Sequence, residues 1–219
     1  NGTTGDVNLA ASTAGTYTVT YTIAAAGGCP AVEATTSITV TALPVATIAY
    51  ADNPYCSNEG IATVTQTGTP GGTYSAPGGL SINAGTGAVD LAASTAGTYT
   101  VTYTIAAANG CPAVEATTSI TITTLPTALI SYDGDPYCSN EGTVAVNFSG
   151  TPGGAYTATP GGLSLNNLTG AVNTGTSTAG TYTVTYTIAA AGGCPLVSDD
   201  ASITITTLPT ATIAYGTNP

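Results

Sequence analysis

The sequence contains no lysine, arginine, histidine, methionine or tryptophan among its 219 residues. Without cations the chain cannot neutralise phosphates, and phosphate contacts supply most of the non-specific affinity of proteins for nucleic acids. Without histidine and lysine, general acid–base chemistry would depend on eleven scattered Asp and Glu residues. We therefore expect no nucleic-acid binding and no enzymatic activity.

Long apolar runs and basic amphipathic segments are also missing. No run approaches the ~20 residues that cross a bilayer, and no cationic face could lie on anionic lipid. We expect no membrane insertion. Hydrophobic residues nevertheless make up 42% of the chain, enough to bury a core, and 28 Gly and 13 Pro favour short strands joined by tight turns.

One 19-residue stretch, STAGTYTVTYTIAAAGGCP, begins at Ser12, Ser94 and Ser177, with Asn109 replacing one glycine in the second copy. The period of 82 or 83 residues approaches the size of an independent domain, which predicts tandem domains. Leu-Pro pairs mark the joints between repeats. We predict the C-terminal part of a repeat at 1–44, complete repeats at 45–126 and 127–209, and the first strand of a further repeat at 210–219, as in a window of a longer protein.

Alternation of side-chain types predicts the strands. In the repeated stretch, Tyr17, Val19, Tyr21 and Ile23 share one face, and threonines occupy the other. Other predicted strands include Ala46–Tyr50, Val144–Phe148, Gly72–Ala76, Gly79–Asn83, Ala88–Leu91 and Thr118–Thr123. About seven short strands per repeat with no helical periodicity predict an all-β fold of immunoglobulin-like antiparallel sandwiches.

The segment GGLSINAGTGAVDLAASTAGTYTVTYTI, residues 78–105, resembles the immunoglobulin-like and PKD-like repeats of giant bacterial surface adhesins, especially those of Bacteroidota. Its most specific part, Ala-Gly-Thr-Tyr, is similar to the tyrosine corner that opens strand F in such domains. The resemblance implies that Tyr17, Tyr99 and Tyr182 are structural residues of the core. It also implies an extracellular location on a bacterial cell surface.

Five cysteines at repeating positions in such a chain predict disulfides. Pairing within a repeat joins Cys56 to Cys111 and Cys138 to Cys194, and it leaves Cys29 unpaired. Pairing between repeats instead joins Cys29 to Cys56 and Cys111 to Cys138. Neither choice fits the expected strand directions well, because strands of ~30 Å separate the cysteines. We favour pairing within a repeat, which would give each domain its own covalent link.

The carboxylates raise the question of a metal. Asp133, Asp135 and Glu141 lie just after a joint, where oxygen ligands for calcium could stiffen neighbouring domains. The sequence contains no EF-hand spacing and no Asp-rich nonapeptide repeat, so we favour solvated turns, with Ser-Asn-Glu-Gly closed by local side-chain hydrogen bonds. We predict no required cofactor. The threonine rows could in principle order ice, but soluble strand surface is the simpler interpretation.

The function predicted from these features is that of a structural stalk or filament segment of a very large extracellular adhesin, which projects a distal region from the cell. Its partners would be neighbouring repeats and other copies in a filament. Two alternatives remain open: a multivalent module that binds glycans or surfaces weakly, and a subunit of a self-assembling extracellular fibre.

Overall fold

The fold consists almost entirely of β-strands. A computed structural model describes residues 1–216 of the chain. One 3-10 turn, Leu9–Ala11, precedes the first strand, and no α-helix occurs in the described residues. The strands are β1 (Gly15–Ile23), β2 (Val32–Val40), β3 (Ala46–Tyr50), β4 (Tyr55–Cys56), β5 (Ile61–Ala62), β6 (Val64–Gly68), β7 (Thr73–Ser75), β8 (Ser81–Ile82), β9 (Val89–Asp90), β10 (Gly97–Ile105), β11 (Val114–Thr123), β12 (Ala128–Ser131), β13 (Tyr137–Cys138), β14 (Thr143–Val144), β15 (Asn147–Gly150), β16 (Ala155–Thr159), β17 (Val172–Asn173), β18 (Gly180–Ile188) and β19 (Val197–Thr206).

The chain folds into two compact units. The first contains residues 1–51, 61–90 and 99–120, and the second contains residues 52–60, 91–98 and the chain from Thr121 onward. The predicted repeat boundaries at Pro44, Pro126 and Pro209 stay predictions. Of the predicted strand at 210–219, residues 217–219 lie outside the described residues, and residues 210–216 are not assigned to a strand.

The first unit opens with a hairpin of two long strands. β1 and β2 pair antiparallel from Gly15 opposite Val40 to Ile23 opposite Val32. Because side chains alternate along a strand, the apolar residues of β1 share one face, as predicted. That face is uncovered: the exposed fractions of Tyr17, Val19, Tyr21 and Ile23 range from 37% to 69%.

The second unit contains a complete sandwich between Ala128 and Thr206. One sheet has the strand order β13-β19-β18-β16, and two further pairs join β12 to β15 and β14 to β17. Side chains from these sheets meet in one core that includes Val184, Ile203 and Ile205, each at most 2% exposed. Full burial of one such side chain contributes about 1.5–3 kcal/mol. The predicted all-β, immunoglobulin-like fold class is confirmed.

Residues 46–123 repeat this arrangement of strands. The corresponding sheet order is β4-β11-β10-β7, with the pair β3-β6 and the small sheet β5-β9-β8. Both copies contain one feature that the sequence did not indicate. The short strands β4 and β13 run parallel to the ends of β11 and β19, with Cys56 opposite Thr123 and Cys138 opposite Thr206.

The predicted strand Val144–Phe148 is wrong as a single element. β14 ends at Val144 and pairs with β17, whereas β15 begins at Asn147 and pairs with β12. The chain therefore passes from one pair of strands to the other between these residues. An uninterrupted apolar alternation does not reveal such a change of sheet, because both short strands keep the same period of two.

Tyrosine hydroxyls fix the sandwich edges through backbone hydrogen bonds. The hydroxyls of Tyr17 and Tyr182 donate to the carbonyls of Thr13 and Thr178, four residues upstream, each at 2.7 Å. This is the hydrogen bond that a tyrosine corner requires. The buried hydroxyl of Tyr132 likewise donates to the Gly170 carbonyl at 2.6 Å.

Candidate functional site

Two recurring elements carry the cysteines. The first is the opening segment, Pro-Tyr-Cys-Ser-Asn-Glu-Gly, which occurs at 54–60 and again at 136–142. The second is the cysteine hairpin, which occurs at 26–29, 108–111 and 191–194. The opening segment contains β4 or β13, and the hairpin lies between the two long strands of its repeat. Their geometry decides which cysteines can meet.

The opening segment at 54–60 is anchored to the end of β11, the last long strand of the same repeat, and is closed by its own glutamate. The N–H of Ser57 donates to the Thr123 carbonyl at 2.9 Å, and its hydroxyl accepts from the N–H of Leu125 at 3.1 Å. The Glu59 carboxylate accepts the N–H of Cys56 at 3.2 Å. Side-chain to backbone hydrogen bonds of this kind hold a short turn in place. The predicted role of Ser-Asn-Glu-Gly as a locally bonded turn fits this geometry.

The hairpin has two central residues with positive φ. Cys194 and Ala191 exchange backbone hydrogen bonds of 2.9 and 3.1 Å around Gly192 at φ 58° and Gly193 at φ 81°. This is the backbone of a type I′ turn, which favours Gly or Asn because other residues are strained there. Asn109 at φ 51° takes the place of the first glycine in the middle copy without changing the turn.

The structure joins these two elements by a disulfide between Cys56 and Cys194. Their Cα atoms are 4.6 Å apart, and 138 residues separate them in sequence. Both cysteines are buried, at 0% and 4% exposure. The hairpin also lies close to the backbone: a Cβ at Gly193 would be 2.2 Å from the Pro54 carbonyl oxygen. Only glycine fits at this contact.

The Cys194 hairpin also contacts the residues that connect the two predicted complete repeats. The Cys194 sulfur lies 3.7 Å from the Thr123 carbonyl oxygen and 3.6 Å from that of Thr124. A Cβ at Gly192 would be 2.9 Å from the Thr123 hydroxyl. The disulfide therefore spans the predicted joint at Pro126, and links the opening of one repeat to the hairpin of the next.

The predicted pairs Cys56–Cys111 and Cys138–Cys194 are corrected by this bond. Cys138 lies opposite Thr206, at the end of β19, whereas Cys194 precedes the beginning of the same strand. Ten residues at ~3.3 Å each place the two cysteines roughly 30 Å apart, and bridged Cα atoms must lie within ~7 Å. Pairing within a repeat is therefore excluded by strand length.

The structure also excludes the alternative pairs Cys29–Cys56 and Cys111–Cys138. Cys56 is bonded to Cys194. The other three cysteines are free thiols: Cys29, Cys111 and Cys138.

The middle hairpin occupies a related position. The Cys111 sulfur lies 3.7 Å from the carbonyl oxygen of Ala42, which corresponds in the repeat to Thr124. A cavity of about 210 Å³ lies beside it, lined in part by Ala42, Pro44 and Ala108. A Cβ at Gly110 would meet nothing within 4 Å, in contrast to Gly193. The Cys111 hairpin thus contacts a joint and has no opening segment against its glycine.

The three calcium candidates lie around the second opening segment. The Asp135 carboxylate accepts the N–H of Thr204, and the Glu141 carboxylate accepts that of Cys138. Burial raises the pKa of the Tyr137 hydroxyl, and the charges of Asp133, Asp135 and Glu141 raise it further. Within residues 1–216, no three or more His, Cys, Asp or Glu side chains are grouped to hold a metal ion. Calcium binding at Asp133, Asp135 and Glu141 stays an untested alternative to the solvated turns that we favour.

No helix in the described part of the chain has the length and apolarity needed to cross a bilayer. The comparisons with known proteins give no family and no curated relative: no family model matches the chain, and no curated protein matches it.

Solved structures of N-cadherin, titin and Down Syndrome Cell Adhesion Molecule resemble the chain at low identity. The first four cadherin domains of Drosophila N-cadherin are 14% identical over 81% of this chain and 52% of theirs, with a TM-score of 0.42. Three immunoglobulin domains of titin are 12% identical to this chain. The match covers 88% of this chain and 75% of the titin structure, with a TM-score of 0.46. Eight immunoglobulin domains of Down Syndrome Cell Adhesion Molecule are 15% identical to this chain. The match covers 80% of this chain and 26% of that structure, with a TM-score of 0.47. The chain thus spans about half the length of the cadherin structure it resembles.

Proposed function

We propose that this chain is a tension-bearing segment of an extracellular stalk, part of a very large adhesin on a bacterial cell surface. The observation that carries the proposal is the Cys56–Cys194 disulfide, which crosses the predicted joint between two repeats. A covalent link at that place resists separation and bending of neighbouring domains. Disulfides persist in oxidising compartments, which supports an extracellular location.

The composition supports the same role. A chain without Lys or Arg offers no cleavage site to trypsin-like proteases, and it cannot form Lys–Asn isopeptide links, so cysteine is its means of covalent reinforcement. Near-identical repeats suit a spacer, because a spacer needs length and uniform stiffness rather than one distinct site. The exposed threonine rows then serve as soluble strand surface.

Single-molecule stretching of the oxidised full chain, held at its two termini, tests the tension-bearing role. The disulfide would withhold the residues between Cys56 and Cys194 from extension, which at ~3.5 Å per residue is roughly 480 Å of contour length. We expect this length to appear only after reduction, or in a variant with Cys56→Ser and Cys194→Ser.

The variant with Cys29→Ser and Cys111→Ser is the matched control, because it removes two cysteines and keeps the bridge. Equal extension of the oxidised wild type and the bridge variant would contradict the tension-bearing role. The surface location has a separate test. Antibodies against residues 45–126 should label thin threads on intact cells, and labelling confined to the cell interior would exclude a stalk.

A further inference from the structure

An open polar groove lies on the outer surface of the sandwich in the second unit. It encloses about 290 Å³ and belongs entirely to the predicted complete repeat 127–209. None of its lining residues is charged, and the stalk function uses none of their side chains. The residues that line the groove are Thr143, Ser164, Leu165, Asn166, Ala171 and Asn173.

Strand pairing places three polar side chains of the groove in one row. Thr143 and Asn173 lie opposite each other in the antiparallel pair of β14 and β17. On the other side of β17, the N–H of Asn173 donates to the Ser164 carbonyl at 2.9 Å. Residues directly opposite each other share a face of the sheet, with Cβ atoms about 4.5–5.5 Å apart. Val172, the neighbour of Asn173 in β17, is fully buried, so the row is on the solvent side.

Two asparagine side chains have fixed orientations in the groove. Asn166 lies beside Ala171, to whose carbonyl its N–H donates at 2.8 Å. The Oδ1 of Asn166 accepts two backbone N–H groups of the following turn, at 3.0 and 3.1 Å. The Oδ1 of Asn173 likewise accepts the N–H of Gly175 at 3.0 Å. Because both amide oxygens are occupied, each amide offers its NH2 group as a donor to a ligand.

The chemical groups of the groove match a neutral polyhydroxyl ligand. The hydroxyls of Thr143 and Ser164 can each donate and accept a hydrogen bond, and the two amides add donors. Leu165 and Ala171 add apolar surface, against which the C–H groups of a sugar ring can pack. The net charge of −11 and the lack of cations disfavour an anionic ligand. An extended peptide would pair through a strand edge, whereas these groups are side chains on a sheet face.

We propose that this groove binds a neutral oligosaccharide through the hydroxyls of Thr143 and Ser164 and the side-chain amides of Asn166 and Asn173. The site gives the stalk a lateral contact with neutral polysaccharide. It goes beyond the tension-bearing role, and it does not depend on the Cys56–Cys194 bridge. A groove this open covers only part of a ligand, so binding is weak, with a Kd on the order of 1 mM.

The preceding repeat provides a matched control. Ile61 and Asp90 pair there as Thr143 and Asn173 pair in the groove, and Ser81 lies opposite Asp90 on the other side. Isoleucine lacks the hydroxyl, and aspartate replaces the amide donor with a carboxylate acceptor. The equivalent face of that repeat should therefore not bind the ligand. Because the same strands form with either pair of residues, exchanging the pairs introduces no foreign side chain.

An NMR titration of the full isotope-labelled chain tests the proposal. The neutral probes are cellohexaose, mannohexaose and chitohexaose, and the comparison probes are hexagalacturonate and a hexapeptide of glycine and serine. We expect at least one neutral probe to shift the side-chain NH2 signals of Asn166 and Asn173 in a saturable way. The variant with Thr143→Ile and Asn173→Asp should bind about tenfold more weakly, because it loses two hydrogen bonds.

The reciprocal exchange should create a second site. Asn83 occupies the position of Asn166 in the preceding repeat, and its Oδ1 also accepts two backbone N–H groups, at 2.9 and 3.0 Å. We expect the variant with Ile61→Thr and Asp90→Asn to show a new shift of the Asn83 side-chain NH2 signal with the same neutral probe. Backbone signals remote from the two faces should stay unchanged and confirm that both variants are folded.

Absence of any shift at Asn166 and Asn173 with all three neutral probes would overturn the proposal. Equal binding by wild type and the variant with Thr143→Ile and Asn173→Asp would do so too, as would larger shifts of the same signals with hexagalacturonate or the peptide. These outcomes leave the stalk function intact. Failure of the stalk would instead appear in the stretching experiment, and it would not alter the titration.

Discussion

At the scale of single residues, hydroxyl-to-carbonyl hydrogen bonds in the core offer the simplest stability test. The buried Tyr132 hydroxyl donates to the Gly170 carbonyl at 2.6 Å, and Tyr50 donates to Gly87 at 2.7 Å in the other copy. Tyr→Phe at either position leaves a buried carbonyl without its donor, which costs about 1–3 kcal/mol. We expect denaturant melts to show that loss for Tyr132→Phe and Tyr50→Phe. Tyr215→Phe, at an exposed side chain, is the control and should leave the midpoint unchanged.

Two glycines with nearly identical φ values distinguish the strain within the turn from the close contact of the hairpin with the opening segment. Gly193 and Gly110 have φ values of 81° and 80°, but only at Gly193 would a Cβ meet the Pro54 carbonyl. Alanine at either position costs about 1–2 kcal/mol of left-handed strain. We expect Gly193→Ala to lose, in addition, most of the Cys56–Cys194 bond in a glutathione redox buffer, as measured by thiol counting. Equal bridge formation in the two variants would show that close approach at Gly193 is unnecessary.

At the scale of elements, the disulfide joins a two-residue strand to a hairpin across 138 residues. Removing a native disulfide of this kind typically costs about 2–4 kcal/mol, because the unfolded chain regains freedom. We expect the variant with Cys56→Ser and Cys194→Ser to lose about that much stability in the second unit under oxidising conditions. Under reducing conditions it should match wild type, and a difference that persists there would point to packing by the sulfurs instead.

The elements also show what sequence reasoning reached and what it missed. The alternation of Tyr182, Val184 and Tyr186 with threonine, in the third copy of the repeated stretch, predicted a long strand, because burial of one face imposes a period of two. The sequence alone could not identify the partner of Cys56, because β4 has only two residues and lies parallel to the end of β11. A two-residue strand has no period to recognise. Its partner is fixed by tertiary contacts. The length of the strand after each hairpin made pairing within a repeat a poor fit, but it did not identify the partner in the next repeat.

At the scale of the whole molecule, the absence of Lys, Arg and His gives an unusual response to alkaline pH. Without lysine or arginine side chains, the stability above neutral pH depends on phenol groups that are buried in the core. Burial raises the pKa values of Tyr74, Tyr132, Tyr137 and Tyr156 above 10.0. Neighbouring tyrosines raise them further for Tyr74, Tyr132 and Tyr156, as does Asp133 for Tyr137.

The sign of the effect follows from linkage. A phenol whose pKa is higher in the folded state stabilises that state fully below the unfolded value of 10.0, and the contribution is lost as the pH rises above it. We expect the free energy of unfolding to be flat up to about pH 10 and then to fall steeply, with tyrosinate absorbance rising together with loss of structure. The measurement is best made with Cys29, Cys111 and Cys138 replaced by serine, so that thiol oxidation does not alter the unfolding transition. Tyr132→Phe should make the fall shallower, and a free energy that stays constant to about pH 12 would contradict the assignment of these phenols as buried and neutral.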